Sequence, residues 1–311
     1  MFKNLIPYKY DNTETDFSNI HKQIKNKDFI FTPLDQFKTS TSGFNRFYDD
    51  VYIIESDNRI LLKVTFSVKN VSDKTVENLL DERIEKIKKD ENIEIISAAV
   101  REIYTKQIEL ECLKYTEPVN KSVLLLIDKN THYIYVDATS TSLAEDALHL
   151  LRQTIGKLVC RFLSASFAEE SLSNLIQSQH SGNQSYLKIA SYPEVSTVNE
   201  NGVKITISGL YKNTHLFIDM FLARKIQSLE FEFWAKPHLE STLSKFILYI
   251  GKNGILIIKK FKFDEPDDAN SVKHISDDSY KYTSKMLLVG RYMKLIIESL
   301  HQILTIKDFN E

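Results

Sequence analysis

Cysteine is scarce in this chain: Cys112 and Cys160 are the two present in 311 residues. Two are too few for a disulfide framework and lack the paired spacing of a zinc site, so both are expected to be buried thiols. Long apolar runs are missing as well. None approaches the roughly 18 consecutive apolar residues of a membrane span. Lys3, Asn4 and Lys9 also interrupt the opening segment, which therefore lacks a signal-peptide hydrophobic region. A cytoplasmic protein with no membrane partner is the expectation.

Several catalytic signatures are also wanting. Gly251-Lys252-Asn253-Gly254 does not have the Walker-A spacing of Gly, Lys and Ser/Thr, and no glycine fingerprint follows a strand to hold a dinucleotide. No Gly-x-Ser-x-Gly elbow presents a nucleophilic serine. The histidines are scattered, without a His-x-x-x-His pair, and His149 reads as a surface histidine. These absences lead to an expectation of no cofactor, no metal and no enzyme activity.

What is present is a globular composition, 42% hydrophobic, enough for two domains with large cores. The net charge of −2 argues at first against nucleic acid, because phosphate binding needs clustered cations. The distribution is uneven, however. Residues 201–263 hold ten Lys and Arg against four Asp and Glu, an excess of six, whereas 264–278 hold one against six. Such a separation focuses a positive field on one surface and repels DNA from another, although solvated faces give the same count.

Periodicity outlines an α+β architecture. Strands are expected over 50–55 and 59–68 around the polar turn Ser56-Asp57-Asn58. Val76, Leu79, Leu80, Ile84 and Ile87 then recur at helical spacing, and Ser97 caps a second helix with the stripe Val100, Ile103, Tyr104 and Ile108. This helical hairpin, about 72–118, carries eight basic against twelve acidic residues and suits shape or self-association better than phosphate contact. Strands at 122–127 and 133–136 flank Asp128-Lys129-Asn130-Thr131. A helix follows, with Ser142 and Glu145 as a capping box and Gly156 as its left-handed end. The expected domains are 1–164, α+β with the hairpin inserted, and 165–311, α+β with basic strands and a C-terminal helix.

In the second half a helix over 167–177 precedes a polar stretch, 178–184, that reads as a linker. Leu229, Phe231 and Phe233 alternate with Glu230, Glu232 and Trp234, the pattern of a half-buried strand. Strands over 246–250 and 255–263 flank Gly251 to Gly254, and 279–306 closes as one long helix or two short ones. Simple alternation puts Leu256, Ile258, Lys260 and Lys262 on one face and Ile255, Ile257, Lys259, Phe261 and Phe263 on the other. The basic strand end, extended by Arg224, Lys225, Lys204 and Lys212, offers a phosphate track with no base code; edge protection is the simpler use of such lysines. Phe231, Phe233, Trp234, Phe261 and Phe263 fit core packing better than base stacking. Glu230 and Glu232 with Lys236 faintly resemble a metal-dependent nuclease triad. Two glutamates two apart on a strand are ordinarily its wet face, and Asp264-Glu265 and Asp267-Asp268 read as a solvated loop.

One stretch resembles a known family. Asp137, Ala138 and Ser140, then Ala144-Glu145-Asp146, Leu148, Leu150-Leu151-Arg152, Gly156 and Leu158, are similar to recombination-associated protein RdgC, and Phe2-Lys3-Asn4-Leu5 with Tyr8 resembles that family's opening. Weaker matches run on through Leu229 to Trp234, Lys259 to Phe263 and Leu288-Val289-Gly290. Gly43-Phe44 followed by Asn45-Arg46-Phe47, and Thr65-Phe66-Ser67-Val68-Lys69, depart from its pattern, which marks a divergent member. The resemblance implies a ring-shaped homodimer that passes duplex DNA through a basic hole without sequence preference. It also implies restraint of RecA-driven recombination by occupancy, in the nucleoid, with single strands as a further ligand. It carries over best to Lys259, Lys260 and Lys262, then to Arg224 and Lys225, with Lys114 and Lys121 as further candidates. The family's interface aromatic falls near Val119-Asn120, where this chain has none. A magnesium-dependent, structure-specific nuclease and a protein-binding regulator without DNA contact are the alternatives from other classes.

Overall fold

A computed structural model describes residues 2–26, 28–92, 95–177, 187–198, 202–221, 224–233, 244–263 and 278–307. Backbone contacts divide the chain into two units. One comprises Met1–Gln23, Arg46–Leu62 and Val123–Glu311; the other comprises Ile24–Asn45 and Lys63–Ser122. The chain is mixed α+β, with a large antiparallel sheet.

Strand β1 (Leu5–Tyr10) and helix α1 (Ile20–Ile24) precede β2 (Ser40–Phe44), β3 (Ile53–Ser56) and β4 (Arg59–Val68). Asp57 and Asn58, both at positive φ, join β3 to β4 as a tight hairpin in which Ser56 faces Arg59. Helices α2 (Asp73–Glu91) and α3 (Ala98–Tyr115) form the expected hairpin, and the Ser97 side chain accepts from the Val100 N–H. Then come β5 (Val119–Asp128), β6 (Tyr133–Asp137) and α4 (Thr141–Ile155). The cap of α4 is Ser140, whose hydroxyl accepts from the Leu143 N–H at 3.2 Å, not Ser142 as the Ser-x-x-Glu spacing suggested. Glu145 instead meets Arg152 at 3.5 Å. Gly156 ends the helix at a positive φ of +86°, but with ψ −47° rather than in the expected left-handed helical conformation.

Short strands β7 (Cys160–Phe162) and β8 (Ala165–Ser166) lead to α5 (Ala168–Gln177). The rest is β9 (Leu187–Ile189), β10 (Val195–Val198), β11 (Lys204–Ile207), α6 (His215–Phe221), β12 (Ile226–Phe233), β13 (Ser244–Ile250), β14 (Leu256–Phe263), one continuous helix α7 (Asp278–Ile303) and β15 (Thr305–Ile306). The linker expected at 178–184 and the acidic loop at 264–268 lie outside the described residues.

In the first unit the strand order is β11-β10-β12-β13-β14-β1-β6-β5-β4, with β3 on β4, β7 on β1 and β9 on β12. Phe231, Phe246, Leu248, Leu256 and Ile258 from the sheet share one core with Phe217 of α6 and with Met286, Val289 and Met293 of α7. Arg59 is buried at the start of β4, where its Nε donates to Asp128 Oδ2 at 2.8 Å, and a second nitrogen donates to Asp57. Asp128 is fully buried, and its Oδ1 accepts from the Asn130 and Thr131 N–H groups. The pair is therefore compensated on both sides, the condition under which a buried ion pair is tolerated. Gly290 of α7 lies against this arginine, and a methyl there would overlap the guanidinium.

Asp137 clamps β1 to the end of β6. Its Oδ1 accepts from the Lys3 and Asn4 N–H groups at 3.0 and 2.8 Å, and the Ala138 N–H returns to Asn4 O at 3.0 Å. Burial raises the carboxyl above its ordinary value, although both hydrogen bonds pull the other way. Cys112 and Cys160 are half-buried rather than buried. Arg152 Nη2 donates to Cys160 Sγ at 3.4 Å, and burial still pushes that thiol up.

In the second unit β2 pairs with the far part of β4, from Ser40 opposite Val68 to Phe44 opposite Val64. Gly43 lies directly on the backbone of Ile30 and Phe31, leaving no room for a side chain. Helices α2 and α3 meet through Val76, Leu80, Ile84 and Ile108, with Tyr104 and Cys112 beside them. Leu79, Val100 and Ile103, expected in that seam, are exposed instead. Lys69, 8% exposed, donates to the carbonyls of Asp35, Gln36 and Leu113 at 3.0, 3.3 and 3.0 Å. Leu113 lies in the last turn of α3, where unpaired carbonyls and the helix dipole favour a cation.

Two outcomes are expected. Asp137→Ala leaves two backbone donors unpaired and costs about 1–3 kcal/mol. Asp137→Asn keeps an acceptor and loses the buried charge. Because the folded carboxyl is raised, the wild type loses stability as pH climbs through the folded value. Thermal melts should therefore place Asn above Asp near neutrality, and the gap should close as the solution is acidified. Lys69→Met removes the donor shared by three carbonyls and should cost about 2–4 kcal/mol, with hydrogen exchange accelerating first in Ile24–Asn45 and Lys63–Ser122.

Candidate nucleic-acid interface

Three strands set the interface. In β12 the residues Leu229, Phe231 and Phe233 are buried, which turns Glu230 and Glu232 to the opposite face. The register continues this face into β13, where Lys245 sits opposite Glu232 and Ile247 opposite Glu230, and then into β14 through Ile247 opposite Lys259 and Lys245 opposite Lys262. Between those two pairs one residue of β13, Phe246, opposes two of β14, Lys260 and Phe261. Lys260 takes the extra position at φ +53°, so this is a β-bulge.

The bulge overturns the expected alternation. Lys260 and Lys262 do not share a face with Leu256 and Ile258. Phe261 joins those two in the core, and Lys259 and Lys262 line the opposite face together. Lys260 reaches Glu194 at 2.6 Å. The same face gains Lys188 of β9, which pairs opposite Glu232, and Lys204 of β11, whose ammonium lies 5.6 Å from the Tyr249 ring centroid. Lys259 lies on that ring too, at 3.5 Å. The aromatic face attracts both cations and holds them near one another. Lys212 approaches from the loop before α6, its Nζ donating to Ile189 O at 2.6 Å.

Crowding and burial act on these amines. Lys259 is held below the ordinary lysine value by burial and then by the Lys204 charge; Lys212 is lowered by burial, with Glu232 opposing and Lys188 adding to the shift. Among the described residues Glu194, Glu230 and Glu232 interrupt the patch, and all three are engaged, Glu194 by Lys260. Glu232 pairs with Lys245 at 2.9 Å, and Glu230 accepts from the Glu194 N–H at 2.9 Å. Lys188, Lys204, Lys212, Lys259 and Lys262 lie around them as a cationic surface suited to phosphate oxygens.

Other sequence candidates fall elsewhere. Arg224 is exposed just before β12, and Lys225 meets Glu170 at 3.3 Å. Lys114 and Lys121 belong to the second unit, Lys114 over the Phe37 ring at 5.7 Å and Lys121 exposed on β5. Lys188 and Lys245 escaped the sequence reading. The signal for Lys245 was present in Ser244-Lys245-Phe246, one alternation earlier than the expected start of β13.

Phe231, Phe233 and Phe261 are buried, as core packing requires, and Trp234 and Lys236 lie outside the described residues. Among the described residues no three acidic, histidine or cysteine groups gather as a metal site, and no helix is long and apolar enough to cross a membrane. His149 is exposed and bonded to Gln153 at 3.0 Å.

The RdgC family model, described as "Putative exonuclease, RdgC", matches residues 1–229. The chain is 30% identical over 161 residues to recombination-associated protein RdgC of Haemophilus influenzae (strain PittGG), an alignment covering 50% of this chain and 52% of that protein. Over the same length it is 26% identical to the protein so named from Shewanella loihica and 27% to that from Shewanella frigidimarina, each with 52% of the relative covered. The alignment thus spans about half the length of these relatives. The family model, by contrast, runs from β1 through the Asp137 clamp and α4 to the middle of β12, well over half of the chain. On that extent this chain belongs to the RdgC family of recombination-associated proteins.

Proposed function

We propose that the lysine face of β9, β11, β12, β13 and β14 binds the DNA backbone without reading sequence, and that the chain acts by occupying DNA rather than by catalysis. The observation that carries this reading is the close placement of Lys204 and Lys259 over Tyr249, with Lys188, Lys212 and Lys262 on the same part of the sheet. Amines depressed by burial and by each other gain most from a bridging phosphate. Flexible lysines also supply charge without the bidentate geometry that reads bases.

Membership in a recombination-associated family supports a role in DNA recombination. The finer reading is a ring-shaped homodimer, nucleoid-associated in the cytoplasm, that encircles duplex DNA and restrains RecA by competing for it. Two copies would present two such faces, multiplying phosphate contacts through enforced proximity. No cofactor or metal enters this mechanism.

Fluorescence anisotropy across a salt series tests the face. Wild type should bind unrelated duplexes alike, with a log–log salt slope of about −0.9 per phosphate contact. The triple variant Lys204→Ala/Lys259→Ala/Lys262→Ala should lose up to about three such increments, whereas Lys260→Ala, whose amine is held by Glu194, should change the slope least. A triple variant matching wild type would remove this face from the reading, and magnesium-dependent loss of an end label would replace occupancy with cleavage.

Binding should also titrate. The free-state amine of Lys259 is lowered, and phosphate favours its charged form, so association takes up protons. Affinity should weaken as pH rises into the range below the ordinary lysine value. The loss should be smaller in Lys259→Gln, measured at constant ionic strength.

A further inference from the structure

The loop between β9 and β10 and the loop between β11 and α6 bring together an exposed aromatic pair. Tyr192 is 62% exposed and Tyr211 43%, with ring centroids 5.5 Å apart and planes inclined at 49°. Large exposed aromatics on a mobile loop need no explanation, but the β9–β10 loop is pinned. On one side the Ala190 N–H donates to Glu230 O at 3.1 Å and the Lys212 N–H to Ser191 O at 3.1 Å. On the other side the Glu194 N–H donates to Glu230 Oε2 at 2.9 Å. Pro193 between them is buried, and a residue preceding proline is restricted to extended backbone, so Tyr192 is held with little freedom.

Tyr211 is fastened as well. Its hydroxyl accepts from Asn213 Nδ2 at 3.2 Å, and its carbonyl accepts from the Thr214 hydroxyl at 2.9 Å. The rings are too close and too tilted to admit a third between them. Tyr192 is the more exposed of the two, and Tyr211 braces it from one side. Tyr211 is joined covalently to Lys212, whose ammonium lies at Ile189 O, and β9 places Lys188 opposite Glu232 on the cationic surface. A rigid aromatic face thus stands at the border of a phosphate-binding surface.

We propose that Tyr192 is a stacking platform for an unpaired nucleobase of a single strand whose phosphates run onto Lys188 and Lys212, with Tyr211 as the residue that positions the ring. A base offers a π-face to tyrosine whatever its identity, so the site adds affinity for unpaired DNA without adding sequence preference. A blunt duplex keeps its bases stacked on one another and gains nothing from this ring. The inference rests on the proposed DNA-binding face and extends it by a second kind of contact.

The test compares a single strand, the same strand carrying abasic positions, and a blunt duplex, with wild type, Tyr192→Ala, Tyr192→Phe and Tyr211→Ala at one salt concentration. Tyr192→Ala should weaken the intact single strand by about five- to a hundred-fold, the range of one base–aromatic stack. It should leave the duplex within about twofold, the expectation for a stack that needs an unpaired base. Tyr192→Phe should match wild type, and Tyr211→Ala should fall between. The abasic strand should bind wild type and Tyr192→Ala alike, because the stacking partner is already gone. Equal losses on single strand and duplex, no loss on the intact strand, or a change in sedimentation that marks Tyr192 as a contact between copies of the chain would each overturn the platform. If wild type binds neither form, the DNA-binding face itself fails along with it; loss of both forms in the lysine triple variant with a normal response in Tyr192→Ala separates the two.

Discussion

Everything in the larger unit depends on β1 being paired along both edges. On one side it meets β6 from Leu5 opposite Asp137 to Lys9 opposite Tyr133; on the other it meets β14 at Leu5 opposite Ile258, and β7 takes over from Tyr8 to Tyr10. Just before it the Lys3 carbonyl accepts the Phe261 N–H, and within it the Pro7 carbonyl accepts the Leu163 N–H, each at 2.9 Å. A strand so placed must be apolar in both directions, and Leu5, Ile6 and Tyr8 are all fully buried. The opening residues are therefore structural, and the Asp137 carboxylate that holds Lys3 and Asn4 is the hydrogen-bonding counterpart of that demand.

From β1 the dependence runs outward to the cationic face. Hydrogen bonding along this edge of β14 reaches Phe261, which meets the Lys3 carbonyl, because the bulge at Lys260 shifts the core-facing phase from the even-numbered Leu256 and Ile258 to the odd-numbered Phe261. Without the extra residue, strict alternation would send Lys260 towards the core and Phe261 away from it. The bulge keeps Phe261 buried, releases Lys260 to Glu194, and leaves Lys259 and Lys262 side by side. A local irregularity in hydrogen bonding thereby decides the composition of the surface proposed to meet DNA.

The stretch from Asp137 to Leu158, on which the sequence resemblance to the family chiefly rests, contains joints rather than chemistry. Asp137 clamps the first strand, Ser140 caps α4, Arg152 Nε donates to Leu158 O at 3.3 Å, and Gly156 turns the backbone out of the helix. Such positions constrain sequence strongly because each satisfies a buried or terminal polar group that has no substitute nearby. Surface lysines are under no comparable restraint, since a phosphate track accepts charge from several neighbouring positions. The family match ends at residue 229, so it takes in β1, the Asp137 clamp and α4 but neither β13 nor β14.

The sequence by itself determined the elements whose signals are local: the Asp57-Asn58 hairpin, the Ser97 cap, the α2–α3 pair, the helix end at Gly156 and the single basic region between residues 201 and 263. Apolar periodicity and turn chemistry act over a few residues, so they can be read without partners. What only the tertiary structure decided lies in contacts between distant segments. Ser140 rather than Ser142 caps α4. Lys69 became a buried donor to Asp35, Gln36 and Leu113, and Val100 and Ile103 were left outside the helical seam. Lys188 and Lys245 joined Lys259 and Lys262 through strand register, while Lys260 left them. Register and bulges are set by how two strands meet, and a one-residue change in that meeting moves a side chain to the opposite face, which no single strand's sequence can announce.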